Sequence, residues 1–191
     1  MKKSLYSFAL VALFGAAAAT SASAQAKMSP NTVMVGGQAM YANKNIVENA
    51  VNSKDHTTLV AAVKAADLVA TLQSKGPFTV FAPVNDAFEN LPAGTVETLL
   101  KPENKATLSK VLTYHVVSGT MTADKLMAAI KAGKGQASLK TVSGGTLVAS
   151  MNGPHNVVLT DESGNTSCIS TYDVMQSNGV IHVIDKVMLP K

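Results

Sequence analysis

The chain has no arginine, no tryptophan and a single cysteine among its 191 residues. Recognition of phosphate or guanine relies strongly on the planar fork of arginine, so a nucleic-acid partner is not expected. The lysines are spread along the chain and do not form a basic cluster. Cys168 cannot form a disulfide within the chain, so packing alone must stabilise the fold. We expect Cys168 to be a small buried side chain, with dimerisation through its thiol as the alternative.

The first residues have the order of a secretory signal. Lys2 and Lys3 precede an apolar run of residues 5–19, and small residues surround Ala24. The run is short and rich in alanine for a membrane span, and no later stretch approaches spanning length. Residues 1–24 are therefore predicted to be a signal peptide. The mature protein is expected to be exported, to the periplasm or to the extracellular space, without stable membrane insertion.

Residues 25–44 are predicted to form a linker, because they contain Pro30 and Gly36–Gly37 and show no helical periodicity. Met28, Met34 and Met40 recur in this segment, and thioether sulfur is a ligand for Cu(I). No histidine or cysteine accompanies them, so chance spacing is the preferred interpretation. One domain is predicted to follow, over residues 45–191, since no segment repeats another.

The stretch of residues 78–88 predicts a strand that turns sharply into a helix. Pro83 cannot donate to a sheet, so the strand is expected to end there. Asn85 is a favourable N-cap for the helix that follows. The three phenylalanines of this corner are expected to face the interior: Phe78, Phe81 and Phe88.

Two later segments complete a recognisable order of motifs. They are residues 111–117, which contain Tyr114 and His115, and residues 178–185, which contain His182. Together with the corner at 78–88, they resemble the signatures of the fasciclin domain family from about Asn45 to Pro190. Where that family usually has threonine or serine, this chain has Val84, so a hydroxyl group expected at the corner is missing.

Helical patterns dominate the first half of the domain, and short strands joined by turns dominate the second. This order predicts an α+β fold and argues against alternating βαβ units. Asn178–Gly179 is a strong signal for a tight hairpin turn. The resemblance implies a β-sandwich or wedge with helices packed along its edge.

Catalytic and metal-binding motifs are missing from the sequence. The four histidines are far apart, and none has the spacing to Cys, His or acidic residues that a structural zinc site needs. No enzyme activity, metal or cofactor is predicted; an enzyme would need His115 and His182 to converge with an acid in one cleft. His56 is expected to be a solvated residue at the start of a helix, and His182 a satisfied core residue.

The pair Tyr114–His115 admits two interpretations. The resemblance implies a role in adhesion, because this segment is associated with integrin-dependent adhesion in animal members. If 114–117 forms a strand, adjacent side chains point to opposite faces and at least one of the pair is buried. We favour this structural role and expect the histidine to hydrogen-bond to Asn85 or Thr79. The resemblance assigns binding to Val111, Leu112, Tyr114, His115, Val116 and Val117.

The leading functional hypothesis is an exported, non-catalytic module for adhesion or surface interaction, with a protein or polysaccharide partner. Adhesion follows from the resemblance and not from composition. The alternative is a carrier of a small apolar ligand such as a carotenoid. Abundant Val, Leu, Met and Ala could line a groove between the helices and the sheet for such a ligand.

Overall fold

The computed structural model describes residues 32–191. The predicted signal peptide and residues 25–31 lie outside these described residues. Over the described range the chain forms nine strands and seven α-helices. The strands are β1 (Val33–Val35), β2 (Gln38–Met40), β3 (Phe78–Pro83), β4 (Val116–Ser118), β5 (Gln136–Lys140), β6 (Thr146–Asn152), β7 (Asn156–Thr160), β8 (Thr166–Gln176) and β9 (Gly179–Ile184). The helices are α1 (Ile46–Ala50), α2 (Thr57–Ala65), α3 (Val69–Gln73), α4 (Asn85–Glu89), α5 (Thr95–Leu100), α6 (Lys105–Tyr114) and α7 (Ala123–Ala132). Short 3₁₀ turns, Lys54–His56 and Pro102–Asn104, precede α2 and α6.

Seven strands form one sheet in the order β4-β3-β9-β8-β7-β6-β5. β3 and β9 run parallel, with Phe81 opposite His182, and the other neighbours in the sheet are antiparallel. A bridge between Val117 of β4 and Thr141, just after β5, joins the two ends of the sheet. The sheet therefore wraps nearly into a barrel, with the helices outside it, and the α+β prediction is confirmed.

Strand β3 is buried on both faces because it separates two hydrophobic cores. Val80 and Ala82 face the core between the helices and the sheet, which we call the helical core. Phe81 faces the core inside the curved sheet, which α7 covers. The expectation that the three phenylalanines share one interior is therefore wrong. Phe81 and Phe88 are buried in different cores, and Phe78 is only half-buried.

The corner after β3 follows the sequence prediction in part. β3 ends at Pro83, as predicted. The N-cap of α4 is Val84, and its side chain makes no capping hydrogen bond, so the prediction of Asn85 as N-cap is wrong. Asn85 instead binds the start of α2. Its Oδ1 accepts from the backbone N of Thr58 at 3.1 Å, and its Nδ2 donates to the carbonyl of Lys54 at 2.9 Å.

The predicted linker contains an ordered hairpin. β1 and β2 pair antiparallel around Gly36 and Gly37, whose φ angles of +58° and +71° suit a two-residue hairpin turn. Val35 and Met40 from one face of this hairpin are buried in the helical core. The segment 33–40 therefore packs as part of the domain. The two glycines, which suggested flexibility, are the turn itself.

Hydrogen bonds of buried side-chain amides attach this N-terminal hairpin to the rest of the domain. Asn49 of α1 accepts from the backbone N of Tyr41 at 3.0 Å, donates back to the Tyr41 carbonyl at 2.8 Å, and also hydrogen-bonds to the side chain of Gln176. Asn178, in the β8–β9 turn, accepts from the backbone N of Ile46 at 3.0 Å. These bonds fix the hairpin and α1 over the end of the β8–β9 pair. The turn between these strands is Ser177–Asn178, because Gln176 pairs with Gly179 and Gly179 is the first residue of β9. The prediction of a turn at Asn178–Gly179 is therefore one residue too late.

Candidate functional site

Tyr114 and His115 lie at the end of helix α6 and not on a strand, so that part of the prediction is wrong. Tyr114 is the last helical residue and is fully buried. Its hydroxyl donates to the Thr146 carbonyl at 2.7 Å and accepts from the backbone N of Glu162 at 3.1 Å. Burial raises the pKa of Tyr114. The side chain joins α6 to the start of β6 and to the loop between β7 and β8.

His115 caps the same helix and is buried, with both ring nitrogens in hydrogen bonds. Its Nε2 accepts from the backbone N of Met188 at 3.0 Å, which leaves Nδ1–H to donate to the Val111 carbonyl at 2.8 Å. Burial lowers its pKa to about 4, so the ring is neutral at physiological pH. The expected partners are wrong, since Asn85 binds the start of α2 and the Thr79 hydroxyl donates to the Gly119 carbonyl at 2.6 Å.

The six residues to which the resemblance assigned binding are all buried. Their exposed fractions are 6% or less, so no side chain of the set reaches a partner in this structure. This burial agrees with the structural role that we favoured. The set is Val111, Leu112, Tyr114, His115, Val116 and Val117.

His182 is fully buried on β9, as the sequence predicted. Its Nδ1 accepts from the backbone N of Asp173 at 3.4 Å, and Nε2–H donates to the Met121 carbonyl at 2.7 Å. The ring stacks on Phe81 with centroids 5.7 Å apart, and burial lowers its pKa. His115 and His182 thus bind different backbone segments and do not share a cleft with an acid.

The positions of the methionines contradict the idea that Met28, Met34 and Met40 bind Cu(I) together. Met40 is buried on the inner face of the N-terminal hairpin, whereas Met34 is 52% exposed on its outer face. These two sulfurs cannot share one ion, and Met28 lies outside the described residues. Within residues 32–191 no group of three His, Cys, Asp or Glu side chains could hold a metal ion.

His56 is the histidine that the sequence analysis placed wrongly. It was expected in solvent but is 3% exposed. Nδ1 lies 2.8 Å from the Ser53 hydroxyl, and Nε2 is buried without a hydrogen-bond partner among residues 32–191. Burial lowers its pKa, while the Ala82 carbonyl and the Asp55 carboxylate oppose that effect to a smaller extent.

A cavity lies in the helical core beside His56. Its volume is about 80 Å³. Most of the lining is apolar and comes from the N-terminal hairpin, the helices and the central strands. The lining includes Val35, Met40, Leu59, Val63, Val80 and Ile181. The carrier hypothesis expected a groove between the helices and the sheet, but the sequence did not show which residues line it, because its walls are far apart along the chain.

The family model of the Fasciclin domain matches residues 54–190. The chain belongs to the fasciclin domain family. Protein sll1483 of Synechocystis is 46% identical over 171 residues, which cover 90% of this chain and 87% of that protein. Transforming growth factor-beta-induced protein ig-h3 of Sus scrofa is 35% identical over 134 residues, or 70% of this chain and 17% of that one.

A solved structure has the same fold as this fasciclin domain. It is the FAS1 domain pair from the insect cell adhesion molecule Fasciclin I, with a TM-score of 0.68 and 16% identity. The superposition covers 76% of this chain and 51% of that one. The family match begins at residue 54, so β1, β2 and α1 precede it.

The surface of this fasciclin domain exposes few large apolar side chains. Three of those exposed in the described range lie in one short N-terminal segment: Met34, Tyr41 and Val51. Val142 and Met175 are the others in that range. None of the helices within residues 32–191 is long and apolar enough to cross a bilayer.

Proposed function

We propose that this fasciclin domain is an exported, non-catalytic module for surface interaction that binds a protein or polysaccharide partner. The observation that carries the proposal is the gathering of Met34, Tyr41 and Val51 on the N-terminal segment. Methionine and tyrosine are enriched at interfaces relative to the rest of a protein surface. The solved structure with the same fold comes from a cell adhesion molecule, which supports adhesion as the form of this interaction.

The hydrogen bonding of the buried histidines supports the non-catalytic part of the proposal. His115 and His182 each use both ring nitrogens to bind backbone groups. Burial lowers both pKa values, so the rings stay neutral and act as fixed structural links. A general acid or base needs a nitrogen that reaches the substrate.

Variants of the exposed side chains test the interaction. The double variant Met34→Ser, Tyr41→Ser removes apolar surface from the N-terminal hairpin, and the hydrogen bonds of Tyr41 to Asn49 use only its backbone. Val142→Ser is the matched control, since Val142 is 45% exposed elsewhere on the domain. Immobilised protein is exposed to native envelope and medium, and bound proteins and polysaccharides are identified by mass spectrometry. The double variant should lose a partner that the control keeps; equal recovery from both would contradict the proposal.

Carriage of a small apolar ligand is the second candidate, and the apolar cavity in the helical core favours it. A volume of about 80 Å³ is well below the roughly 300–1,000 Å³ of pockets for drug-sized ligands. The ligand of this candidate is therefore much smaller than a carotenoid. Purified protein should show no visible absorption band, and binding of small apolar probes in the cavity should be detectable by NMR.

A further inference from the structure

Asparagine followed by glycine occurs twice in this chain, and the structure places the two pairs in opposite environments. Asn152 and Gly153 lie at the tip of the β6–β7 hairpin, whereas Asn178 ends the β8–β9 turn and Gly179 begins β9. Such a pair is chemically labile in water, because the glycine nitrogen reaches the side-chain amide carbon and carries no neighbouring side chain that crowds the reaction. The fold therefore decides which of the two pairs is free to react.

The reacting groups of the first pair are free. Residues 152–156 are all exposed. Within residues 32–191, neither the side chain of Asn152 nor the backbone N of Gly153 makes a hydrogen bond. Gly153 has a φ of +79°, and nothing lies within 4 Å of the place that a Cβ would occupy there. Water reaches both groups, and no hydrogen bond of theirs has to break before they meet.

The reacting groups of the second pair are held in place. Asn178 is buried, and its Oδ1 accepts from the backbone N of Ile46 at 3.0 Å. Its Nδ2 donates to two backbone carbonyls at the end of α3, at 2.7 Å and 2.9 Å. A Cβ added at Gly179 would clash with the backbone of Phe78, so no space is left beside this glycine. Reaction at Asn178 therefore requires local unfolding.

We propose that Asn152 is a site of spontaneous deamidation in the folded protein, whereas Asn178 is protected. The backbone N of Gly153 attacks Cγ of Asn152, and the new bond closes a five-membered succinimide ring. The bond from Cγ to Nδ2 breaks, and Nδ2 leaves as ammonia with the proton that Gly153 has lost. Water then opens the ring at either carbonyl and gives aspartate or isoaspartate. Water is the co-reactant, and nothing is oxidised or reduced.

Deamidation changes the charge of a hairpin that otherwise has none. Strands β6 and β7 and the residues between them contain no Asp, Glu or Lys, so the product places one negative charge at the tip. Isoaspartate also adds one methylene to the main chain beside the pair of Asn152 and Asn156, where the two strands meet. A folded molecule that is not replaced therefore accumulates acidic forms at this hairpin. The inference does not depend on the proposed surface interaction.

The test follows both asparagines in one sample. Folded protein and protein unfolded in guanidinium chloride are kept at pH 8, then cleaved after Glu162 at mildly acidic pH, which separates the two sites. Mass spectrometry measures the gain of one dalton at each asparagine, and fragmentation distinguishes isoaspartate from aspartate. In the folded protein Asn152 should react within about tenfold of its unfolded rate, and Asn178 at least about a hundredfold below its own. Equal rates at the two sites of the folded protein, or protection of Asn152, would overturn the proposal.

Two variants of the same hairpin connect the charge change to Asn152. Isoelectric focusing of the intact folded protein should show an acidic form that grows with time. Asn152→Gln should remove the first acidic form to appear, because closure by the longer side chain needs a six-membered ring. Asn156→Gln is the matched control, since Asn156 is equally exposed but is followed by valine, and it should acidify like the wild type. The same acidic form in Asn152→Gln would place the reaction elsewhere and refute the assignment.

Discussion

His115 accepts a hydrogen bond at Nε2 from the backbone N of Met188, 73 residues further along the chain, over 3.0 Å. This bond connects the end of α6 to the C-terminal segment after β9. It requires a lone pair on Nε2 and therefore a neutral ring. Protonation of His115 would remove the acceptor and place a charge in the core.

The stability of the domain should consequently depend on pH through His115. Burial lowers its pKa from 6.5 to about 4, so below pH 6.5 the unfolded chain binds a proton that the folded chain does not. The free energy of unfolding should fall by about 2 kcal/mol between pH 6.5 and pH 5. Burial also lowers the pKa values of His56 and His182, which adds to the same trend.

Urea denaturation at pH 7 and pH 5 measures this effect. The lower of these two pH values lies above the ordinary pKa values of 3.8 for Asp161 and 4.5 for Glu162. The fold lowers the pKa of both carboxyl groups, so they change the stability at lower pH. His115→Gln should be less stable at pH 7 and lose less stability on acidification than the wild type. His155→Gln, at an exposed position, should keep the wild-type dependence. Equal pH dependence in all three proteins would show that His115 does not control it.

Tyr114→Phe should destabilise the domain by about 1–3 kcal/mol, because it leaves the Thr146 carbonyl and the Glu162 amide without their partner. Tyr41→Phe is the control at a ring that is 38% exposed and should change stability by less than about 0.5 kcal/mol. Chemical denaturation gives both values. Faster hydrogen exchange at the Glu162 amide in Tyr114→Phe alone would locate the effect, and equal stability of the two variants would argue against it.

Gly36→Ala should loosen the N-terminal hairpin far more than Gly37→Ala. Both residues have positive φ, so both substitutions cost about 1–2 kcal/mol in backbone strain. Only at Gly36 would the added Cβ lie 2.5 Å from Ser53 Oγ and 2.8 Å from the backbone N of Asp55, whereas nothing lies within 4 Å at Gly37. Hydrogen exchange of residues 33–40 should rise sharply in the first variant. Matching exchange rates in the two variants would mean that the contact with Ser53 and Asp55 does not hold the hairpin.

The thiol of Cys168 should react readily in the native protein, because Cys168 is exposed. The expectation of a buried cysteine is wrong since β8 alternates here, with Ser167 and Ile169 facing inward. A thiol reagent at neutral pH should label the folded and the urea-unfolded chain at rates within about tenfold of each other. Cys168→Ser should change stability by less than about 0.5 kcal/mol. Protection of the native thiol would contradict the exposed position.

Features set by a few neighbouring residues could be predicted from the sequence. The end of β3 at Pro83 and the helix that Asn45 caps through Glu48 follow from local backbone chemistry. The Asn178–Gly179 signal predicts the β8–β9 hairpin correctly but places its turn one residue too late. The fold class followed from the order of such signals and from the resemblance.

Features set by distant partners could not be predicted. Asn85 has the chemistry of an N-cap, but its amide binds Lys54 and Thr58, about thirty positions earlier. His56 lines the same cavity as Val35 and Met40 of the N-terminal hairpin, whose Gly36–Gly37 turn reads locally as a flexible segment. Tyr114 and His115 lie in a short apolar run that fits a strand or a helix equally well, and the core decides between them.

Strand β9 lies in the centre of the sheet, between β3 and β8, although it is the last strand in the chain. Synthesis from the N-terminus therefore leaves a gap beside β3 until residue 184 has been made. A nascent or truncated chain that stops before Gly179 would expose the unpaired backbone of β3 and β8 to other molecules. The domain consequently completes its folding only after Ile184 has left the ribosome.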